Sequence, residues 1–476
     1  MTGYLAAVDL GATSGRVMVG AVRPDRVELR QVARFANSPV ELWNGTRAAL
    51  HWNLPGGYRH ILDGLAAAVR QAPDLAGIGV DSWAVDYGLL RAGRLLGLPH
   101  HYRDERTAAG VDAVHAAIPA PELYARNGLQ FLPFTTLYQL AAERIDGLLG
   151  LADRALLVPD LIGYWLTGIM VSEHTNASTT GLFDAHGRWD EALARRIGLP
   201  PSLFPDPIQP GTDIGPVLPE VAARIGIRAR VTTVASHDTA SAVVAVPMAA
   251  ESAAYISCGT WGLVGVELAD RVVDTAAREA NFTNEAGADG RIRFLRNVMG
   301  LWLLSESVRY WERDGTPVDL PALLDQAAET APPAAVFDVD DPVFLPPGNI
   351  PERIATWYLE HDLPAPRDRA ELVRAIVESL AATFADRVRT AARLSGVDVR
   401  TVHMVGGGAQ NELLCALTAD RVGLPVLAGP VEATALGNIL IQARAHGLLS
   451  GDLDALRSVV AASGAPRRYL PRLAPR

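Results

Sequence analysis

The sequence predicts an α/β protein with two large domains. Its 476 residues are too many for a single hydrophobic core. Predicted strands alternate with predicted helices along most of the chain, which is the pattern of α/β folds. A strand, a glycine turn and a returning strand also occur once in each half, around Gly11 and around Gly259. This repetition, about half a chain apart, suggests two similar domains.

The first half opens with a β-hairpin, because apolar runs at 5–10 and 17–22 flank the glycine turn and no helical period follows it. Hydrophobic periodicity then predicts further elements. In order, these are a strand at 27–35, a helix at 58–71, a strand at 75–80, helices at 105–117, 135–149, 158–166 and 189–197, a buried strand at 231–235 and a small-residue helix at 240–245.

The second half begins with the other predicted hairpin, at 254–258 and 263–268. A proline-rich, irregular stretch is expected at 331–352. The remaining predicted elements are a long helix at 369–395, a strand at 402–405, a helix at 412–422, a short strand at 426–427, a helix at 433–445 and a short helix with a tail from 447 onwards. We therefore expect an N-terminal domain at 1–245, a C-terminal domain at 246–450 and a helix and tail at 451–476.

Charge and composition exclude several kinds of partner. A net charge of −10 argues against nucleic acid or anionic lipid. The only two cysteines, Cys258 and Cys415, exclude a disulfide scaffold and suit a reducing compartment. The sequence has no cleavable apolar leader and no apolar run of membrane-spanning length. We therefore expect a cytoplasmic protein that binds neither nucleic acid nor membrane, as a monomer or a weak homo-oligomer.

The stretch at 234–241 is the strongest candidate for catalysis. The buried strand ends at a compact polar set, Ser236, His237, Asp238 and Thr239. Ligands bind where strands open into helices in α/β proteins, and an aspartate there can accept a proton from a substrate hydroxyl. Considered without the rest of the sequence, Asp238 or Ser236 would more commonly serve as a helix cap. Two flanking glycine loops favour catalysis instead.

The first loop has the residue types of a phosphate site. Glycine turns expose backbone N–H groups to anions, Thr13 and Ser14 add hydroxyl donors, and Arg16 adds a positive charge. Asp9, at the strand end, suits Mg²⁺ or its bound waters. An ordinary hairpin with an exposed arginine is the alternative for this loop. It is not a P-loop, because no Gly-Lys-Ser/Thr follows.

Two later loops add similar donors. Gly259 to Gly262 includes Thr260, and three consecutive glycines, 406–408, let a flat ligand such as adenosine approach the backbone. The dinucleotide fingerprint is absent at this third loop, which disfavours a hydride-transfer enzyme. No cysteine–histidine spacing suits zinc, and a metal role for the His100–His101 pair is disfavoured.

Together these motifs resemble the FGGY family of carbohydrate kinases over nearly the whole chain, in order. The segments that carry the resemblance are 8–16, 81–86, 102–107, 130–140, 175–180, 235–243, 257–261, 297–304, 405–411 and 428–438. The resemblance implies an actin-like ATPase fold, in which two ribonuclease H-like α/β domains face each other across a nucleotide and sugar cleft. It also implies ATP and Mg²⁺ as cofactors and a small sugar as substrate.

The resemblance assigns roles to individual residues. Asp238 would be the catalytic base, with Ala84, His237, Thr239 and Asn297 in the sugar pocket. Nucleotide-binding residues would be Ala12, Thr13, Ser14, Gly15, Arg16, Thr260, Ser305 and Gly407, and Asp9 would hold Mg²⁺ through water. The His-Asp-Thr motif, where xylulose and glycerol kinases have Gly-Asp, points to phosphorylation of the 1-hydroxyl of L-rhamnulose.

Two positions depart from the family pattern. Ala84 stands where glycine is usual, which adds a methyl group beside the sugar, and Ser305 stands where glutamine is usual near ATP. Three alternatives stay open at this point: a kinase of L-fuculose or another ketose, an actin-like ATPase that works by assembly, and a sugar-binding regulator that does not phosphorylate.

Overall fold

The computed structural model describes residues 2–472, which form two compact units. The first unit comprises the described chain up to Pro247 together with Ala269–Arg293 and Ala433–Gly464. The second comprises Met248–Leu268, Phe294–Glu432 and the described residues from Ala465. Neither unit is continuous in sequence, because the chain passes from one to the other several times. No described helix is long and apolar enough to cross a membrane.

Twenty strands are present in the described chain. They are β1 Gly3–Leu10, β2 Ser14–Arg23, β3 Arg26–Ala36, β4 Pro39–Trp43, β5 Ala48–Trp52, β6 Gly77–Ser82, β7 Tyr87–Arg91, β8 Arg94–Leu95, β9 Arg154–Leu157, β10 Ser172–Glu173, β11 Pro207–Ile208, β12 Asp213–Pro216, β13 Arg230–Thr232, β14 Ala253–Cys258, β15 Trp261–Leu268, β16 Thr283–Ala286, β17 Ile292–Met299, β18 Thr401–Val405, β19 Val426–Ala428 and β20 Arg467–Tyr469.

Seventeen α-helices accompany them in residues 2–472. They are α1 Leu54–Gln71, α2 Ala108–Ala117, α3 Ala120–Asn127, α4 Thr136–Ile145, α5 Val158–Thr167, α6 His174–Ala177, α7 Glu191–Arg196, α8 Pro219–Ile225, α9 Asp238–Val244, α10 Thr275–Glu279, α11 Trp302–Arg313, α12 Leu320–Glu329, α13 Ile350–Glu360, α14 Arg369–Ser395, α15 Glu412–Val422, α16 Ala433–Ala445 and α17 Leu453–Ser463.

The first unit is built on a six-stranded sheet in the order β12-β13-β6-β1-β2-β3. The predicted hairpin is present as the antiparallel pair β1–β2, and β6 lies parallel to β1 on its other side. Residues 5–10 of β1 are all buried, as expected for a central strand covered on both faces. The carboxyl ends of the parallel strands β1 and β6 therefore meet at one edge of the sheet.

The second unit repeats this arrangement. The seven-stranded sheet has the order β16-β17-β15-β14-β18-β19-β20, and the strands from β15 to β20 in that order belong to this unit, with most of β17. The predicted hairpin β14–β15 is antiparallel, β18 runs parallel to β14, and β19 runs parallel to β18. An antiparallel edge strand, β20, closes the order, as β12 does in the first sheet. Both sheets thus contain a hairpin, then two parallel strands, then an antiparallel edge strand. This shared order supports the inference of two similar domains.

Several predicted element limits were wrong. The strand expected at 231–235 ends at Thr232, and the helix expected to begin at 240 begins at Asp238. The irregular stretch at 331–352 contains a short 3₁₀ turn and the start of α13. Beyond α17, the expected tail contains β20, whose pairing with β19 no local pattern announces. The last four residues of that tail, 473–476, lie outside the described residues.

Candidate active site

Two aspartates end neighbouring strands of the first unit. Asp9 on β1 is the register partner of Asp81 on β6, and across the hairpin it is the partner of Arg16. Arg16 Nη1 lies 3.7 Å from Asp9 Oδ2. The side chain of Asp81 has no exposed surface and accepts a 2.5 Å hydrogen bond from Asn438 Nδ2 on α16. Burial, with the charge of Asp9 added, raises the pKa of Asp81 well above its usual value.

The turn after Asp9 is held by its own backbone and by one asparagine. Gly11 N donates to Ser14 O at 3.0 Å, and Asn37 donates to Thr13 O from its backbone and to Gly11 O from its side chain. A Cβ on Gly15 would lie 2.4 Å from the ring of Phe35, so only glycine fits there. The turn thus presents Ala12, Thr13 and Ser14, which are all partly exposed.

Asp238 is the first residue of α9 and keeps 28% of its side chain exposed. Its Oδ1 accepts from Thr239 N at 2.5 Å and from Thr239 Oγ1 at 3.2 Å. Burial raises the pKa of this carboxyl, against the opposing influence of His237 and of the Thr239 hydrogen bonds. The other candidate for capping, Ser236, does not cap α9, because its hydroxyl donates to Glu173 at 2.7 Å.

The segment that carries Asp238 is anchored by Glu173, a fully buried carboxylate. Glu173 Oε2 accepts from the backbone N and the hydroxyl of Ser236, at 2.9 and 2.7 Å. It also accepts from Thr175 Oγ1 at 2.6 Å and Asn176 N at 3.1 Å, while Oε1 accepts from Thr175 N at 2.9 Å. Five donors thus fix this carboxylate, and two of them come from Ser236, two residues before the candidate base. The backbone of β6 adds a further link, since Ser82 N donates to Ser236 O.

Ala84 lies in a turn that another buried carboxylate organises. Asp86 accepts hydrogen bonds from four separate segments, through Trp52 Nε1, Trp83 Nε1, Tyr102 N and Gln139 Nε2. Burial raises the pKa of Asp86 to about 6, although these donors oppose the rise. Val85 has φ of 70°, a strained conformation for a β-branched residue. Its carbonyl accepts from Thr136 Oγ1 at 2.7 Å, which helps to hold the turn.

In the second unit, the predicted residues Thr260, Ser305 and Gly407 belong to neighbouring backbone segments. Thr260 O accepts from Gly300 N and Trp302 N, each at 3.2 Å, and Gly259 O accepts from Leu301 N at 2.8 Å. Leu301 O accepts from Ser305 N in the first turn of α11. A Cβ on Gly407 would lie 3.8 Å from Leu301 Cδ1, so the third glycine loop lies beside the same turn.

The third glycine loop is packed against Cys258. Gly406 has φ of 79°, and a Cβ on it would lie 2.9 Å from Cys258 O. A Cβ on Gly408 would lie 2.5 Å from Cys258 Sγ. Gly407, between them, is exposed. The loop thus needs small residues on its inner side, while Gly407 leaves backbone open to a ligand.

The structure distributes the predicted site residues between the two units. The first holds Asp9, Ala12 to Arg16, Ala84 and His237 to Thr239; the second holds Asn297 on β17, Thr260, Ser305 and Gly407. The sequence analysis did not single out Glu173 or Arg293. Glu173 directly precedes a run of small polar residues, which is the one signal that could have identified it.

The residue predicted to hold Mg²⁺ is Asp9, near the end of β1. Among the described residues, no group of three or more His, Cys, Asp and Glu side chains is arranged to hold a metal ion. Asp9 nevertheless provides one hard oxygen donor, with 9% of its side chain exposed, whereas its register partner Asp81 has no exposed surface. A single carboxylate fits Mg²⁺ that keeps most of its water ligands.

The chain is similar to curated kinases along almost its entire length. It is 39% identical to a rhamnulokinase of Bacteroides thetaiotaomicron, covering 98% of this chain and 95% of that one. It is 42% identical to a rhamnulokinase of Pectobacterium carotovorum, covering 98% and 93%. Residues 4–245 match the N-terminal domain of the FGGY family of carbohydrate kinases, and residues 254–446 match its C-terminal domain.

Solved structures share the fold at much lower identity. The TM-score is 0.77 with a gluconate kinase of Lactobacillus acidophilus at 17% identity, covering 99% of this chain and 94% of that one. It is 0.76 with a xylulose kinase of Rhodospirillum rubrum at 20% identity, with the same coverage. The two-domain α/β fold is therefore that of these kinases, and the chain belongs to the FGGY family of carbohydrate kinases.

Proposed function

We propose that this protein transfers the γ-phosphoryl group of ATP to the 1-hydroxyl of L-rhamnulose, giving L-rhamnulose 1-phosphate and ADP. The substrate is inferred from rhamnulokinases that are 39% and 42% identical over 98% of the chain. The observation that carries the chemistry is Asp238, a carboxylate that is anchored on one oxygen and still partly exposed.

Asp238 is proposed as the base. Phosphoryl transfer depends on positioning and charge neutralisation more than on covalent catalysis, so one well-placed acceptor for the hydroxyl proton suffices. The raised pKa of Asp238 makes it a better proton acceptor than an ordinary aspartate while it is ionised. Its backbone is fixed through Ser236 and Glu173, which limits the freedom of the carboxylate.

The phosphates of ATP are assigned to the two hairpin turns. In the first unit, the donors are the backbone at Ala12 and Gly15, the hydroxyls of Thr13 and Ser14 and the guanidinium of Arg16. In the second, they are Thr260 with Ser305 nearby, and Gly407 would lie under the nucleotide. Both turns are closed by their own hydrogen bonds, so their donors need no rearrangement to receive an anion.

Asp9 is proposed to hold Mg²⁺ through water, with Asp81 beside it. When bound, Mg²⁺ neutralises the phosphate charge that develops during transfer. Arg16, 3.7 Å from Asp9, is placed to share that task. Ala84 and Asn297, with His237 and Thr239, are proposed to contact the sugar. A cytoplasmic location is also proposed, because Cys258 and Cys415 are both free thiols.

The test is sugar-dependent release of ADP from Mg·ATP, measured with L-rhamnulose, L-fuculose, L-ribulose, D-xylulose and glycerol. We expect a strong preference for L-rhamnulose. Asp238→Asn should lose about 10²-fold to 10⁴-fold in kcat while the Kd for sugar changes little. Asp25→Asn, at an exposed turn between β2 and β3, is the matched control and should keep full activity. Near-normal turnover by Asp238→Asn would refute the assignment of the base.

A further inference from the structure

Three charged groups surround His237: Asp238, Arg293 and Glu285. Its Nε2 lies 3.4 Å from Asp238 Oδ1, while its Nδ1 lies 3.1 Å from Arg293 Nη2 and 3.4 Å from Glu285 Oε2. Arg293 has no exposed surface, and His237 and Glu285 are 6% and 5% exposed. These groups come from α9, β17 and β16, all within the first unit.

The contact with Arg293 decides where the imidazole proton lies. A guanidinium only donates hydrogen bonds, so the nitrogen that faces it must be an acceptor. At His237 that nitrogen is Nδ1, and in the neutral ring the proton must then be on Nε2. Nε2 is the nitrogen nearest to Asp238.

Resting on the proposed role of Asp238 as base, we propose that Arg293 is a positioning residue. It fixes His237 as the neutral tautomer that carries its proton on Nε2, directed at Asp238 Oδ1. Together with the two contacts from Thr239, this directs three donors to Oδ1. We therefore assign Oδ2 as the oxygen that receives the proton of the sugar hydroxyl.

Glu285 Oε2 is the competing partner of Nδ1, at 3.4 Å, but Arg293 Nη2 lies closer to each of them, at 3.1 Å. Arg293 Nη2 lies 3.1 Å from Glu285 Oε2, and Arg293 Nε donates to Ala286 O at 3.0 Å. The guanidinium is thus held from two sides, and its charge is compensated. If His237 instead donated from Nδ1 to Glu285, the lone pair of Nε2 would face the Asp238 carboxylate, and an N–H would face the Arg293 donor. Both contacts would be repulsive.

The direct test is ¹⁵N NMR of the intact protein labelled with [¹⁵N]histidine. His237→Gln identifies the resonance. At about pH 7, where an ordinary histidine is mostly neutral, we expect an unprotonated Nδ1 and a protonated Nε2. A protonated Nδ1 in the wild-type protein would overturn the inference, and this measurement needs no variant at position 293.

The functional test is Arg293→Met, which keeps the length of the stem and removes both charge and donors. The His237 ring should then shift toward the tautomer that is protonated on Nδ1, which the same ¹⁵N NMR detects, and kcat should fall about 10-fold to 100-fold while the Kd for sugar changes little. Arg293→Lys is the matched control, since it keeps the charge and should keep most of the activity. An unchanged His237 tautomer in Arg293→Met would overturn the inference, because a merely structural defect predicts that result.

Two further controls keep the outcomes separate. If Arg293→Met does not fold, the double variant Arg293→Met/Glu285→Gln removes the buried ion pair as a whole and should show the same loss of preference for the Nε2–H tautomer. Asp238→Asn tests the base independently. If it stays active, the proposed base is wrong, whatever the tautomer; if it is inactive but His237 carries its proton on Nδ1, only the role of Arg293 is wrong.

Discussion

Replacing Glu173 by glutamine tests how the candidate base is held in place. In the wild type, four donors converge on Oε2 and one on Oε1 of a carboxylate with no exposed surface. In Glu173→Gln, the amide oxygen can take the place of Oε2 and keep the four donors. The amide nitrogen then faces Thr175 N–H, so one buried donor meets another.

The loss can be worked out from these contacts. Each of four hydrogen bonds changes from charge-assisted to neutral, at a cost of about 1 kcal/mol each, and the opposed donors add about 1–3 kcal/mol. Glu173→Gln also removes a negative charge beside Asp160, which offsets part of this loss. Burial and then the charge of Glu173 raise the pKa of the Asp160 carboxyl in the wild type. The two costs sum to about 5–7 kcal/mol, so with partial relief at Asp160 we expect Glu173→Gln to lower the free energy of unfolding of the first unit by at least about 3 kcal/mol.

The assay is urea unfolding combined with hydrogen exchange at the Ser236 amide, which donates to Glu173. Exchange at that amide should accelerate and kcat should fall, because the same segment carries Asp238. Thr175→Val removes one donor to Glu173 and a long, 3.4 Å acceptor of His237 N, and should cost about 1–2 kcal/mol. The reasoning is refuted if Glu173→Gln costs no more than this control, since the carboxylate would then be replaceable by any acceptor.

Three further changes give specific expectations. The pKa of Asp81 is raised, so the folded protein retains a proton that the unfolded chain releases above about pH 4. The stability that this group contributes is therefore lost as pH rises. Asp81→Asn should raise the unfolding free energy at about pH 8 and not at about pH 3. Gly437→Ala places a Cβ 1.8 Å from Ser241 O and should cost about 1–3 kcal/mol in thermal unfolding, whereas Gly57→Ala, in open space on α1, should be neutral or stabilising. Asp86→Asn sets an amide among four N–H donors, so urea unfolding followed by tryptophan fluorescence should show a loss of about 1–3 kcal/mol; unchanged stability would mean that the donors find other acceptors.

Local patterns predicted the two hairpins and the long helices, but not strands such as β4, β5, β16 and β17. The long helix at 369–395 and the helices at 412–422 and 433–445 have the predicted bounds. Clear capping residues mark the ends of the first two, Asp368 and Gly396 for one and Asn411 and Gly423 for the other. Both glycine hairpins are present as predicted. The edge strand β20 was missed, because its three residues become a strand only by pairing with β19.

The residue types of the candidate site could be predicted from the sequence. The buried residues that hold them in place could not. Glycines, hydroxyls and aspartates at strand ends are visible as motifs, which is why Asp9 and Asp238 could be singled out. Arg293 and Glu173 are far from them in sequence, and their importance comes from burial and from the atoms that they face. A single sequence does not reveal such contacts, because they depend on tertiary packing.

The late position of α16 in the chain has a consequence for biosynthesis. Gln442 Nε2 donates to Ala6 O, and Asn438 Nδ2 donates to Asp81 Oδ2, so this helix completes the sheet face that begins with β1. At a translation rate of about 5–20 residues per second, the ribosome needs roughly 20–90 seconds to progress from Ala6 to Gln442. Throughout that interval the nascent first unit exposes the sheet face that α16 later covers. That face includes Asp81, which has no exposed surface in the folded protein. Chaperone demand during synthesis, and the instability of chains truncated before α16, should therefore be set by when α16 is made.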